Sequence, residues 1–164
     1  MRTVLLPVAS VAALALSMGQ PAHAATYEAS FTAAGTCQLS IPSIDTKVRS
    51  KASGYRNEGT TNAFVICSPF SPTINGLENF RYFLVSMDGA GHSVTCTGTS
   101  GNTGEALGYS TKTLTAVGEY GTEFQWTASD FGGSLSEGSG HVAMTCALPP
   151  NVAINMGYMA YNLP

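Results

Sequence analysis

The chain has 164 residues, a formal charge of −3, and only 10% charged residues against 44% apolar ones. That length fits one domain of ordinary size. Seven basic against ten acidic side chains give no basic footprint for nucleic acid, and argue against anionic membranes as partners.

The chain opens on a targeting signal. Arg2, an apolar run from Val4 to Leu16, and small residues at Ala22 and Ala24 read as a secretory signal peptide, Met1–Ala24, cut before Ala25. The run is too short to span a bilayer and no second one follows, so the expectation is a periplasmic or secreted chain with no membrane insertion. Removing Met1–Ala24 leaves 140 residues with six basic and ten acidic side chains.

Strand signals follow in order. Thr26 to Ala34 alternates Tyr27, Ala29, Phe31 and Ala33 against polar residues, which places one face in a core. Thr46–Ala52 is a second strand. Phe64–Cys67 and Tyr82–Val85 are apolar on both faces and read as central strands. Ser93–Thr99, Thr111–Val117, Glu123–Ala128, His141–Leu148 and Val152–Tyr161 complete the set. Turn chemistry separates them at Asn75-Gly76, Asp88 to Gly91, Gly98 to Gly104, Gly118 to Gly121, Gly132-Gly133 and Pro149 to Asn151. After the leader, the longest stretch free of Gly and Pro, Leu77–Asp88, has 12 residues, too few for a helical domain. The prediction is one all-β domain over residues 25–164: an antiparallel β-sandwich or jelly roll of about eight to ten strands with two disulfides.

Cys37, Cys67, Cys96 and Cys146 are an even set in an exported chain, which predicts two disulfides. Gaps of 30, 29 and 50 residues lack the close ligand pairs of structural zinc. Cys96 and Cys146 share a Thr-Cys context, which favours Cys96 with Cys146 and Cys37 with Cys67; the other two connectivities stay open.

Charge is unevenly spread. Lys47, Arg49, Lys51 and Arg56 are four of the six basic residues after the leader, and the first three share a strand face. They read as a charged edge kept from aggregating rather than an anion-binding stripe. An anion there would be a sulfated glycan or lipopolysaccharide phosphate.

Catalytic motifs are missing: no nucleophile elbow, no His-Glu-x-x-His, no phosphate loop. His92 and His141 are expected at exposed strand starts. Ser110 with Lys112, and Glu119 or Glu123 with Asp130, carry the wanted groups but not a site pattern. Asp88 to Gly91 and Asn102 to Glu105 lack the acidic density of a calcium loop. No cofactor and no metal are expected. Aromatic side chains are the better lead. Tyr55, Tyr109 and Tyr120 adjoin glycines and are expected to be exposed, whereas Trp126 shares a face with Phe124 and Ala128 and reads as buried. These four are the candidate sugar-stacking residues.

Cys37, the run Tyr55-Arg56-Asn57-Glu58-Gly59 with Asn62, Val65-Ile66-Cys67 with Pro69, and Cys146-Ala147-Leu148-Pro149 with Ile154 and Tyr158 resemble a group of small, uncharacterised secreted proteins of Gram-negative bacteria. Those share a Val-x-Cys-Pro segment and a terminal Cys-x-Leu-Pro; here Ser68 separates Cys67 from the proline. The resemblance implies a disulfide-linked β-sandwich and carries over no catalytic residue. The chain is also similar to chaperone-usher pilin subunits in length and all-β design, and Tyr27 to Ala33 looks like a donor strand. The expectation is therefore a non-catalytic binding or structural module whose partner is a glycan or another envelope component. The alternatives are a carbohydrate-binding module or a pilin-like fibre subunit.

Overall fold

A computed structural model describes residues 25–42, 47–69, 76–101, 107–118, 120–133, 135 and 141–162. The leader Met1–Ala24 lies outside the described residues, as do Thr46, Glu119 and the 102–105 loop. Among the described residues, short runs of alternating side chains between turn residues give eleven strands: β1 (Thr26–Thr32), β2 (Cys37–Leu39), β3 (Val48–Lys51), β4 (Gly54–Asn57), β5 (Ala63–Cys67), β6 (Leu77–Ser86), β7 (His92–Ser100), β8 (Gly108–Ala116), β9 (Thr122–Thr127), β10 (Val142–Leu148) and β11 (Val152–Asn162). Two short turns of helix, Ala33–Thr36 and Ala128–Phe131, complete the secondary structure of the described residues. The strands β2 and β4 carried no separate sequence signal, because three or four residues are too few to show a period of two.

The first sheet runs β3-β4-β11-β6-β9, and β1 joins it on β11. The second runs β2-β5-β10-β7-β8. Every named pair is antiparallel. The all-β, two-sheet, two-disulfide expectation is met.

Strand β11 organises the first sheet. Its whole length lies along β6, while its other edge takes β4 at Ala153 and Ile154 and then β1 from Met156 to Asn162. A register shift at Asn155 marks the exchange of neighbours. Gly54, with φ of 125°, backs onto the Ile154 carbonyl there, so this glycine serves close backbone approach rather than an exposed turn tip. Ring Phe31 of β1 lies over Gly157, where any Cβ would collide with it, and meets Tyr82 edge-on at 5.4 Å. The N-terminal strand thus fills its own chain's sheet.

Inner faces of both sheets meet in one core, with Trp126, Tyr82, Phe80, Phe124 and Leu84 fully buried. Phe80 stacks on Trp126 with centroids 5.2 Å apart, and the indole N–H donates to the Ser110 carbonyl at 3.0 Å. Strands β5 and β6 are interior in sheet order as expected, but neither is buried on both faces: Phe64 is 57% exposed and Arg81 points outward.

Both disulfides join directly opposed residues of neighbouring strands in the second sheet, Cys37 with Cys67 across β2 and β5, and Cys96 with Cys146 across β7 and β10. Two disulfides place the folded chain in an oxidising compartment. No helix of the described residues is long and apolar enough to cross a membrane.

Candidate binding faces

The turn from β6 to β7 holds the most tightly bonded carboxylate among the described residues. Asp88 accepts from Ser86 Oγ at 2.8 Å, Ala90 N–H at 3.0 Å, His92 Nε2 at 2.8 Å and Asn151 Nδ2 at 3.0 Å. His92 is therefore half-buried and paired, not the exposed residue the sequence suggested, because the turn folds back by the length of one Asx-type loop. His141 is exposed before β10, as expected. The bond from His92, then those from the Ala90 N–H and Ser86, hold the Asp88 carboxyl far below its ordinary value.

Asp88 and His92 have the contact of a catalytic pair, but among the described residues no hydroxyl or thiol bonds the second ring nitrogen. Their bonds tie three chain segments together. A carboxyl depressed in the folded state stabilises above the usual carboxylate range, and that contribution is lost as pH falls toward the folded value. Asp88→Asn is expected to lower the melting temperature at neutral pH by a few degrees and to flatten its acid limb. Unchanged melting between neutral and acid pH would rule this role out.

The remaining acid-base candidates are committed elsewhere. Lys112 donates to the Gln125 carbonyl at 2.6 Å and pairs with Asp130 at 2.9 Å, 5.8 Å above the Trp126 ring. Burial opposes the Asp130 charge, but the Thr127 N–H and Lys112 outweigh it and keep the carboxyl below its ordinary value. Ser110 and Lys112 do share a strand face, yet the ammonium is held as an ion pair, not as a base. Glu123 lies on the outer face of the first sheet, 3.7 Å from Arg81. No group of three or more His, Cys, Asp or Glu among the described residues could hold a metal ion.

The four aromatic candidates do not come together. Trp126 is in the core, as its alternation implied. Tyr55 is only 7% exposed, which corrects the expectation from its neighbouring glycine: β4 turns it inward opposite Ser50 and Ile154. Tyr109 and Tyr120 are exposed at 63% and 90%, but at opposite ends of β8, roughly 25 Å apart along the strand direction.

What replaces that platform is the outer face of the second sheet. Thr111, Thr113 and Thr115 of β8 stand opposite Thr97, Thr95 and Ser93 of β7, and Thr145 of β10 extends the row of Thr97. Thr95 and Thr113 hydroxyls bond at 2.9 Å, and so do those of Thr97 and Thr111. Tyr109 closes one corner beside Thr99, and exposed Phe64 closes the diagonal corner beside Ala147, about 20 Å away by strand spacing and rise. Among the described residues of these strands, no charged side chain points outward here. Phe64 was missed in the sequence because an apolar run reads as core. The threonine repeats Thr95-Cys96-Thr97-Gly98-Thr99 and Thr111-Lys112-Thr113-Leu114-Thr115 were the available signal.

Compared with known protein families, curated proteins and solved structures, the chain matches none.

Proposed function

We propose that this chain is an exported, non-catalytic binding module of the periplasm or cell exterior that adsorbs to a neutral polysaccharide. The observation that carries this reading is the charge-free grid of hydroxyls and methyls on the second sheet, with Tyr109 and Phe64 at its corners. A neutral sugar polymer presents C–H patches and hydroxyl edges at similar spacing. Threonine offers both partners, and no ion has to be stripped of water on binding. The side chains are stiff at χ1 and paired across strands, so little rotamer freedom is lost on contact. Exposed rings suit stacking on sugar faces. A span of about 20 Å between them suits a polymer better than a single sugar.

Sedimentation with insoluble cellulose, chitin and β-glucan tests the reading. Retention on at least one is expected, with a loss of tenfold or more in Thr97→Lys/Thr113→Lys and in Tyr109→Ala while the circular dichroism spectrum stays unchanged. Retention no greater than that of an inert protein on all three, or retention indifferent to both variants, would refute it. The fibre-subunit reading has less support, since β1 already occupies the edge of β11 in its own chain.

A further inference from the structure

The hairpin of β3 and β4 gathers positive charge that the rest of the fold leaves unbalanced. Its register sets Arg49 directly opposite Arg56 and Lys51 opposite Gly54, so Arg56 joins the face that Arg49 and Lys51 present, with Lys47 one step before the strand. Like charges directly opposed on a sheet are destabilising. The next strand offers no relief, because the residue paired with Arg56 on β11 is Ala153.

The contrast with the other cations decides the matter. Arg81 pairs with Glu28 at 2.6 Å and Glu123 at 3.7 Å, and Lys112 pairs with Asp130. Among the described residues the four hairpin cations share one carboxylate, Glu58, 3.7 Å from Lys51. Arg56 donates one Nη to Ser53 Oγ at 2.6 Å, while its Nε is buried with no partner. Arg81 keeps a buried, unpartnered Nε as well, so the difference lies in the carboxylates: Arg81 has two beside it, whereas among the described residues Arg49 and Arg56 pair with none.

We propose that Arg49 and Arg56, flanked by Lys47 and Lys51, form a binding site for phosphate monoesters displayed on an envelope lipid. Two guanidinium forks side by side match the oxygens of a dianionic phosphoryl group, which can accept from both at once. The lysines add attraction without a fixed geometry. The site lies on the outer face of the first sheet, at its β3 edge, and so faces away from the threonine grid. It is independent of the polysaccharide reading.

The test is co-sedimentation of the full mature chain with vesicles of phosphatidylcholine, alone or doped with phosphatidic acid or with phosphatidylglycerol. Binding is expected with phosphatidic acid, weaker with the diester lipid and absent with phosphatidylcholine alone, and it should fall as salt rises. Arg49→Gln/Arg56→Gln should weaken it at least tenfold. Arg49→Lys/Arg56→Lys, which keeps charge but loses the forks, should weaken it severalfold, and Tyr109→Ala on the other sheet should leave it intact. Arg49→Gln alone should raise the melting temperature, since it relieves the opposed pair. Equal binding to undoped vesicles, full binding by the double Gln variant, or binding of inorganic phosphate in solution without any vesicle sedimentation would each overturn the proposal.

Discussion

Replacing Cys96 and Cys146 by alanine is expected to cost about 4 kcal/mol of folding free energy on the chain-entropy account of a loop this long. The bridge spans 50 residues of sequence and so restrains much of the unfolded chain. Both cysteines are fully buried beneath the threonine grid, and β7 and β10 are its adjacent strands. Small domains have only about 5 to 15 kcal/mol in total, so the variant should sit near the edge of folding at physiological temperature. Cys37→Ala/Cys67→Ala, which opens a loop of 30 residues, should cost slightly less. Urea melts of the oxidised protein and the two variants would measure both. A loss below about 1 kcal/mol for the Cys96 variant would show that the unfolded chain is already restrained by other means.

The second large effect sits where the two sheets press together. A Cβ built on Gly98 would lie 2.6 Å from Trp126 Nε1 and 2.7 Å from two indole carbons. The indole cannot retreat, since Phe80 stacks on one side and the Ser110 carbonyl holds its N–H. Gly98→Ala should therefore destabilise by about 1 to 3 kcal/mol through overpacking. Trp126→Ala, which empties the site, should cost about 3 to 5 kcal/mol. Combining Gly98→Ala with Trp126→Phe should recover part of the loss, because the smaller ring vacates the space the methyl needs. Strict additivity in that double-mutant cycle would argue against the contact.

Much of the fold was legible because disulfides and strand alternation are written locally. An even cysteine count implies bridges, and the matching contexts of Cys96 and Cys146 anticipated their pairing. Trp126, Phe124, Phe31 and Ala33 were assigned to the core correctly, whereas Tyr27 at the start of the same alternation is exposed. Errors arose where one neighbour decides the outcome. The turn at Asp88 pulled in His92 through a bond to a residue four positions away, and Tyr55 went inward because its glycine meets β11 instead of solvent.

The two candidate faces show the same division more sharply. Composition counts charges over the whole chain, and by that measure an acidic protein has no use for anions. Only the register of β3 on β4 sets Arg56 beside Arg49, while folding pairs Arg81 and Lys112 with carboxylates far away in sequence. Likewise the threonines are spread over three segments, and only the alignment of β8, β7 and β10 makes them one surface. Local sequence determined strands, turns and the number of covalent links, since those follow from backbone geometry and short-range chemistry. Which faces become neighbours depends on contacts between distant segments, and both proposed binding surfaces exist only at that level.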